Sequence, residues 1–542
     1  MLFNARSSIA ILFMAPLAQA FGAAPPQAGI GVVWGNKDES AILRYPYVRF
    51  GQGFWLWKDI EPREGEYDWR GLDETLKRYH DLGKKVPLQI NMPCPEWIFD
   101  HVASLGTSRG GRAPQYWDPV YFEILSRFVR AYADHVGASP HRDAVLFVRM
   151  QFNALNTEIL SLDSSYLQGT ATADRSKWTL PPNGHVYAPD LTREIEVEMV
   201  QKITQLYLDS FLPHGIPVAL RMDGENDLTK SDSGVDGQAI YDRWTADPLA
   251  WSMTTHYGIS LAASVESERF KRRCRERGTT GFAEQFARIS PGPAQHGAED
   301  VERKMRQAWL PDAQTGQIQL RSISPEQSFY FTMLMLLDWG FHYISVYGVD
   351  HVWARENADL TGAMEFVNKY AGWARDPAHA PGAWAALGLF HGRPRGPNLQ
   401  PSNTNWGFFL TQKDAEKTSR PVFFAGDGSA PQSVWARRIA APAEFELEPA
   451  FAASVTGQAY LRIIWLDEPG VAFRAAANGK TLALFESQGT GRWRDDWAAI
   501  PRGAFAASAN PALLLAPAHG QPVVHLIEIS RERSQTPPNS VY

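Results

Sequence analysis

The chain has 542 residues, of which 44% are hydrophobic and 21% charged, a globular composition sufficient for one large domain and a smaller one. The formal net charge of −6 argues against nucleic acid or an anionic membrane as a partner, because both usually require a basic surface. Nineteen Trp and eighteen Tyr residues provide flat rings that suit stacking against sugars, although most such rings pack in a core.

The N-terminus has the features of a secretory signal peptide over residues 1–20. Arg6 supplies the positive start, residues 9–17 are apolar, and Ala18-Gln19-Ala20 forms a small-residue cleavage site. The apolar run is too short to span a bilayer comfortably. The sequence contains no other membrane candidate, so we expect an exported, soluble mature protein.

The two cysteines, Cys94 and Cys274, lie far apart in the sequence. An oxidising compartment would allow a disulfide between them. We expect instead two unpaired, buried thiols.

Residues 28–375 alternate short apolar runs with longer amphipathic segments. The amphipathic segments predict helices, one of which starts at Asp118-Pro119, where Pro suits the first helical position. For the sixth strand, residues 253–257 are an alternative to 259–265. Eight strands alternating with helices predict an α/β fold, a closed (β/α)8 TIM barrel. The predicted strands lie at 30–34, 47–54, 86–90, 145–152, 217–222, 259–265, 281–286 and 343–347.

Residues 376–405 are rich in Pro, Gly, Ala and Asn and predict a linker. Helical patterns largely disappear after it, and turns such as Asn478-Gly479 separate short apolar runs. Residues 406–533 are therefore expected to form an all-β sandwich domain, jelly-roll-like, followed by a disordered tail at 534–542. The predicted strands of this domain lie at 407–410, 422–424, 460–465, 471–473, 482–485 and 523–529.

Aromatic and basic residues of the C-terminal region suggest a possible second sugar-binding surface. Trp493 and Trp497 lie near Arg492 and Arg494, and Trp465 lies in a predicted strand. Sandwich domains of this kind often only support a barrel, and we favour the supporting role.

Carboxylates end two of the predicted barrel strands. The fourth strand turns polar and delivers Glu158 just beyond its end, and Glu284 lies in the seventh apolar run between Ala283 and Gln285. The C-terminal ends of parallel barrel strands form the catalytic face, and a carboxylate in an apolar strand is rarely buried without a partner or a function.

Retaining hydrolysis of a glycosidic bond requires two carboxyl groups roughly 5–5.5 Å apart. Glu158 and Glu284 are the candidate pair. A solvated loop carboxylate is the alternative for Glu158, and Glu266 is the rival nucleophile.

Two segments resemble clan A glycoside hydrolases, particularly the family 42 β-galactosidase-like branch. The first spells Trp-x-x-Ile-Glu-Pro-x-x-Gly-x-Tyr-Asp-Trp from Trp57, and the second spells Pro-x-Pro-Glu-Trp from Pro93. The resemblance extends over about residues 28–360. It implies that Glu158, after strand four, is the acid/base and that Glu284, ending strand seven, is the nucleophile. The first motif is typical of the barrel architecture and not of a particular substrate, so we interpret Glu61 within it as a structural residue.

The sequence departs from the clan pattern beside the acid/base. The clan commonly has Asn immediately before this Glu, whereas here Thr157 precedes it and Asn156 lies one residue further back. Asn153 or Asn156 could supply the usual hydrogen bond to the sugar 2-hydroxyl. The resemblance also implies that Arg49, on strand two, hydrogen-bonds the nucleophile, with an ordinary ion pair as the alternative.

Further candidates for substrate contact follow the barrel strands. Asp223 ends strand five in a polar cluster that could bind sugar hydroxyls or a cation, although a plain polar loop is favoured. His256 and Tyr257 belong to the site only if they extend strand six. Each aromatic candidate has core packing as its alternative role. These aromatic residues are Trp55, Trp57, Trp97, Trp117, Tyr347 and Trp353.

The leading hypothesis from the sequence is a secreted retaining β-glycosidase that acts on a poly- or oligosaccharide and needs no cofactor or metal. A galactoside as substrate follows from the resemblance alone. The second hypothesis is a carbohydrate-binding protein on a barrel that has lost catalysis, and the altered Asn-Glu pattern motivates it.

Overall fold

A computed structural model gives the fold of the residues named below. The predicted signal peptide at 1–20 and the predicted tail at 534–542 lie outside them. The described residues are 28–33, 39–91, 93–106, 112–150, 175–187, 191–221, 236–254, 271–284, 307–311, 318–356, 360–388, 405–422, 436–505 and 510–533.

Eight parallel strands form one sheet, in the spatial order β1-β8-β7-β6-β5-β4-β3-β2. Phe50, just before β2, bridges Gly31 on one side and Lys85 on the other, so the sheet closes on itself. The predicted (β/α)8 barrel is therefore confirmed. The strands are β1 Gly29–Val33, β2 Gly53–Leu56, β3 Val86–Asn91, β4 Val145–Arg149, β5 Val218–Arg221, β6 Ala250–Thr254, β7 Gly281–Glu284 and β8 Tyr343–Tyr347.

Helices follow the strands as the amphipathic segments predict. In one of them, Asp118 caps the helix by accepting a hydrogen bond from the Val120 N–H at 2.8 Å, with Pro119 at the first helical position. The helices of the barrel are α1 Glu39–Ile42, α2 Trp57–Ile60, α3 Arg70–Asp81, α4 Pro119–Ala138, α5 Arg193–Phe211, α6 Gly237–Trp244, α7 Pro325–Asp338, α8 Gly348–Glu356 and α9 Thr361–Tyr370. Two short hairpins also occur, Ser104–Gly106 with Arg112–Pro114 and Gln307–Pro311 with Ile318–Ser322. Among the described helices, none is long and apolar enough to cross a membrane.

The sixth strand lies at Ala250–Thr254, so its prediction at 259–265 is wrong, and residues 259–265 are outside the described part of the chain. The alternative at 253–257 overlaps the strand by two residues. The apolar-run criterion passed over this strand because Ser252 and Thr254 interrupt it, yet all five residues are buried between β5 and β7. The strand count is unchanged, and β7 remains the seventh strand.

Four aromatic side chains fill one layer of the barrel interior. Phe147 contacts Trp251 with ring centroids 5.8 Å apart, and Tyr343 contacts Trp251 at 5.1 Å and Phe50 at 6.0 Å. They come from alternate strands, the arrangement that fills the interior of this fold. This aromatic layer fills the barrel interior below the C-terminal ends of the strands. It consists of Phe50, Phe147, Trp251 and Tyr343.

The predicted all-β region consists of seven-stranded and five-stranded antiparallel sheets. Trp465 of one sheet packs edge-on against Phe473 of the other at 5.1 Å. The strands are β9 Gly382–Ala386, β10 Trp406–Phe408, β11 Leu410–Gln412, β12 Ser419–Val422, β13 Ala436–Ile439, β14 Ala443–Leu447, β15 Ala459–Leu466, β16 Ala472–Ala477, β17 Lys480–Glu486, β18 Trp493–Ile500, β19 Ala512–His519 and β20 Val523–Ser530, with short helices α10 Ala415–Thr418 and α11 Pro449–Ser454. The seven-stranded sheet has the order β10-β9-β20-β13-β12, with β15 paired to β20 and β18, and the five-stranded sheet has the order β11-β14-β19-β16-β17.

Strand β9 lies inside the predicted linker at 376–405 and corrects that boundary. It pairs with β20 and β10, and all five of its residues are buried. Its small residues, which suggest a linker by composition, are required by close packing. A Cβ at Gly382 would lie 2.5 Å from the Tyr370 hydroxyl and 2.6 Å from the Ile529 carbonyl oxygen.

A buried charged cluster joins the β domain to the barrel. Lys369 and Tyr370 of α9 each donate to the Glu528 carboxylate of β20 at 2.6 Å. Arg462 of β15 bonds Asp495 of β18 at 2.7 and 2.6 Å and lies 3.4 Å from Glu528. We call these five residues the interface cluster.

A second set of interdomain contacts lies near the starts of β7 and β8. Arg275 donates to the Gly407 carbonyl at 3.1 Å, and Asp338 accepts from the Gly407 N–H at the same distance. Arg275 and Asp338 precede those strands in the chain, so this set lies at the N-terminal end of the barrel. The β domain thus supports the barrel on the side opposite the catalytic face.

Candidate active site

Glu284 is the last residue of β7 and pairs in register with Ser345 of β8. Two residues earlier, the Phe282 ring points into the barrel, where it contacts Phe147 at 4.6 Å and Phe50 at 5.7 Å. Strand residues two apart share a face, so position 284 belongs to the interior face at the C-terminal end of its strand. Its predicted partner, Glu158, lies outside the described residues.

A polar network lies above the aromatic layer, toward the catalytic face. The Gln89 side-chain carbonyl accepts from Gln52 at 3.1 Å and from Arg149 at 3.0 Å, while its amide donates to Asn91 at 2.8 Å. We call these four residues the barrel network. Gln89 and Arg149 are buried, and Asn91 carries the network to the end of β3.

The sequence contains a signal for this network that the predicted site does not include. Arg149 ends an otherwise apolar strand, Val-Leu-Phe-Val-Arg, and Gln89 interrupts another, Val-Pro-Leu-Gln-Ile. The criterion applied to Glu284, a polar residue inside an apolar strand, selects both. Burying a guanidinium is costly unless hydrogen bonds and an opposite charge compensate. Arg149 is only 3% exposed, which makes it the most informative residue of the network.

Arg49 was predicted to hydrogen-bond the nucleophile, which requires its side chain to face the barrel interior. The alternation of side chains along its strand places it on the opposite face. Phe50 and Gln52 occupy the interior positions of this strand, which puts Arg49 on the side facing the helices. There, burial and the nearby charge of Arg49 lower the pKa of Lys84, two residues before β3. The structure therefore does not bring Arg49 into the barrel interior.

The aromatic candidates separate into packed and accessible groups. The Trp55 ring covers Gly53 and faces Gly71 of α3, on the helix-facing side of its strand, while Trp57 and Trp117 are buried in the core. These positions favour core packing for all three. Trp97 is half-buried after β3 and donates to the Glu61 carbonyl oxygen at 3.0 Å.

Two aromatic residues lie at the C-terminal ends of barrel strands. Tyr347 ends β8, is half-buried, and pairs with Val33. Phe54 of β2 lies on the same strand face as Gln52, toward the barrel interior, and is 38% exposed. The predicted second strand ends at Phe54, so Trp55, the next residue, is the aromatic candidate that the sequence places after it.

The remaining candidates cannot be assigned contacts. Asn153, Asn156, Asp223, His256, Tyr257 and Glu266 lie outside the described residues. Trp353 belongs to α8, whose backbone is described while the ring is not. Their roles stay predictions.

Glu61 has the structural role expected from the sequence. It is buried and accepts hydrogen bonds from Trp57 Nε1 at 2.8 Å and from the Gly65 N–H at 2.9 Å. Burial raises its pKa, although both hydrogen bonds oppose this shift. Gly65 has a φ of +73°, which favours glycine, so the carboxylate fixes the turn between α2 and α3.

Both thiols are free and buried, as expected, and burial raises the pKa of Cys94 and of Cys274 to about 12. Neither is suited to nucleophilic chemistry at neutral pH. Within the described part of the chain, no group of three His, Cys, Asp or Glu residues is arranged to hold a metal ion.

The model of the family described as Beta-galactosidase, glycoside hydrolase family 42, matches residues 42–119. The chain resembles a family 42 glycoside hydrolase. This match confirms the resemblance to clan A glycoside hydrolases inferred from the motifs at 57–69 and 93–97. It spans the barrel from α1 to the start of α4, including β2 and β3. No curated protein matches the chain.

Similar solved structures include the cold-adapted β-galactosidase of Rahnella sp. R3, at 15% identity and a TM-score of 0.38, with 64% of this chain and 58% of that one covered. Xylanase 10B of Thermotoga maritima is 9% identical with a TM-score of 0.32, covering 60% of this chain and 83% of that one. The chain thus spans little more than half of the Rahnella enzyme. TM-scores this low carry no argument about activity.

Proposed function

We propose that this chain is a secreted retaining β-glycosidase that hydrolyses O-glycosidic bonds in a poly- or oligosaccharide. The observation that carries the proposal is the position of Glu284, at the C-terminal end of β7 and on the interior face of its strand. The family match over residues 42–119 supports glycosidase chemistry for the chain.

In the proposed mechanism, Glu284 attacks the anomeric carbon and Glu158 protonates the departing glycosidic oxygen. The bond to the leaving group breaks as the glycosyl-enzyme ester forms. Water, deprotonated by Glu158, then attacks the same carbon and releases Glu284. Two carboxyl groups suffice for both steps, so the chemistry needs no cofactor or metal.

For the substrate we propose a β-galactoside or galactan, and the matching family's description as Beta-galactosidase supports this choice. Phe54 and Tyr347 would line the site, since both lie at the C-terminal ends of strands and are not fully buried. Secretion rests on the signal-peptide features of residues 1–20. Comparing the N-terminus of the exported protein with that of the full chain tests cleavage after Ala20.

A glycan panel tests the activity. Wild type, Glu158→Gln, Glu284→Gln and the control Glu446→Gln, which changes an exposed carboxylate of the β domain, are assayed in parallel. We expect turnover by wild type and the control and its loss in both site variants. Glycan binding without turnover by wild type would instead support the carbohydrate-binding alternative.

Chemical rescue identifies the nucleophile. Azide should restore turnover to Glu284→Ala and give a glycosyl azide of inverted configuration, because the small anion replaces the missing carboxylate. Rescue of Glu266→Ala instead would overturn the assignment and make Glu266 the nucleophile.

A further inference from the structure

One face of the seven-stranded sheet is turned toward the barrel, and the barrel covers only part of it. Glu528 of β20 contacts α9 on this side. Arg462 of β15 lies opposite Glu528 in register, and Trp497 of β18 lies opposite Arg462, so all three side chains share the face. Glu528 and Arg462 are buried. Among the described strands, β18 pairs with β15 alone and therefore forms an edge of the sheet.

Four residues of this edge strand share the face with Trp497 or are Trp497 itself, because strand residues two apart point to the same side. Two of them are half-buried tryptophans, and the other two are exposed. The barrel thus covers the inner strands of the sheet and leaves β18 accessible. We call these four residues, Trp493, Asp495, Trp497 and Ala499, the edge strip.

The Trp497 ring is held in place from the side of the sheet. The Arg462 guanidinium lies over the ring, 5.0 Å from its centroid, and donates to the Asp495 carboxylate at 2.7 and 2.6 Å. Tyr460 of β15 is half-buried and lies opposite Ala499, which makes it a diagonal neighbour of Trp497. Two aromatic rings therefore flank a small, exposed residue.

The remaining aromatic and basic residues of this region lie on the other face of the sheet. Trp465 is buried in the sandwich, where its Nε1 donates to Asp496 at 2.8 Å. Arg494 lies over the Trp465 ring, 5.1 Å from its centroid, and bonds Asp496. The Trp and Arg residues that the sequence groups together thus separate into a core set and the edge strip.

The edge strip has the chemistry and the dimensions of a site for a sugar chain. Trp and Tyr rings offer an apolar face beside a polar N–H or O–H, and an exposed carboxylate such as Asp495 accepts from hydroxyl groups. The eight residues of β18 make a strip about 26 Å long and about 5 Å wide. A stable protein interface buries about 800 Å² per partner. A surface one strand wide suits a narrow, extended chain better than a protein.

We propose that the edge strip binds an extended polysaccharide chain, with Trp497 and Tyr460 as the stacking residues. Trp493, whose ring contacts His525 at 6.2 Å, continues the site along the same strand. This site belongs to the β domain and is separate from Glu284, which ends a barrel strand. The β domain therefore supports the barrel with the inner strands of this sheet and holds glycan with the edge strand. This goes beyond the proposed glycosidase activity and does not require it.

Native gel electrophoresis through soluble β-galactan, β-xylan or β-mannan tests the site. All proteins carry Glu284→Gln, so binding in the barrel contributes equally to each. Trp497→Ala should weaken binding of at least one polysaccharide by about 3- to 10-fold, because a stacking ring is lost. The control Leu484→Ala changes a side chain that is 55% exposed on β17, the edge strand of the other sheet, and should leave binding unchanged. Equal migration of Trp497→Ala and the control in every gel would overturn the proposal.

Further variants keep the test informative if Trp497→Ala does not fold, which its Tm shows. Trp497→Phe keeps a ring and should retain most of the binding. Tyr460→Ala should weaken binding, whereas Tyr460→Phe should not. Unaltered binding in a folded Tyr460→Ala variant would then overturn the proposal. Sedimentation reveals a protein contact, since self-association that depends on Trp497, without any Trp497-dependent glycan binding, would also overturn it.

The outcomes separate this proposal from the proposed function. Trp497-dependent binding by a protein that hydrolyses no glycan would sustain the edge strip and contradict the glycosidase. Turnover that depends on Glu284, together with unaltered glycan binding in Trp497→Ala, would contradict the edge strip and sustain the glycosidase.

Discussion

The barrel network and the interface cluster both bury an arginine, but they lie in different parts of the molecule. Arg462 forms a two-bond contact with Asp495 and lies near Glu528, so its charge is balanced inside the cluster. Arg149 of the barrel network donates to the side-chain carbonyl of Gln89 at 3.0 Å. The first arrangement holds two domains together. The second lies inside the barrel and extends through Gln89 to Asn91, at the C-terminal end of β3.

The largest expected effect is a loss of activity on substitution of Glu158, the predicted acid/base of the barrel. Glu158→Gln should lower kcat/KM by roughly 10²–10⁴-fold on substrates with poor leaving groups, because protonation of the leaving oxygen is lost. Aryl glycosides with acidic leaving groups need little protonation and should lose much less in the first step. Steady-state kinetics on a matched pair of substrates checks this. An equal loss on both substrates would contradict an acid/base role.

The interface cluster should respond in stability rather than in activity. Burial raises the pKa of Glu528, but Lys369 and Arg462 outweigh burial and hold the pKa below its ordinary value. Glu528→Gln should therefore cost about 3–5 kcal/mol of unfolding free energy, the loss typical of breaking a buried ion pair. Scanning calorimetry measures it, with the exposed Glu532→Gln as control. Unchanged stability in Glu528→Gln would contradict a stabilising role for the interface cluster.

A buried histidine at the starts of β7 and β8 should make the barrel acid-sensitive. Burial lowers the pKa of His342 to about 4, with a further contribution from Arg375, and its Nδ1 accepts from the Gly281 N–H at 3.2 Å. The unfolded chain binds the proton first, so this stability is complete above pH 6.5 and is lost as pH falls from 6.5 to 4, by the order of 3 kcal/mol. The pH dependence of Tm should be flatter in His342→Gln than in the exposed control His519→Gln. Equal slopes would contradict this assignment.

The smallest expected effect is at the mouth of the barrel. Phe54→Ala should raise KM by about 2- to 10-fold with little change in kcat, since an exposed ring contributes stacking rather than chemistry. Trp55→Phe, which keeps an aromatic ring on the helix-facing side, is the control. A larger rise in KM for Trp55→Phe than for Phe54→Ala would contradict the assignment of Phe54 to the interior face of β2 and of Trp55 to the helix-facing side.

The sequence predicts the barrel because an apolar run indicates a buried parallel strand even when its neighbours in the sheet are unknown. It misplaced β6, where Ser252 and Thr254 are buried, and missed β9, whose small residues resemble a linker until Tyr370 and Ile529 are seen against Gly382. Both segments form strands because of contacts with distant parts of the chain, which the local sequence does not show.

The site shows a similar division. A carboxylate ending the seventh strand could be selected from the sequence, and Glu284 does end β7. The family resemblance implies Arg49, and the predicted end of strand two implies Trp55, but neither shows which face of the strand a residue occupies. A shift of one residue turns a side chain from the barrel interior to the helices. Arg149 and Phe54 occupy the interior positions instead.

Covalent trapping of the nucleophile tests the central claim most directly. The wild-type protein is incubated with an activated 2-deoxy-2-fluoro derivative of whichever sugar the panel identifies, which slows hydrolysis of the glycosyl-enzyme, and the labelled peptide is sequenced by mass spectrometry. The account predicts a single ester on Glu284. A label on Glu266 or another carboxylate, or turnover of the parent sugar without any label, would contradict it.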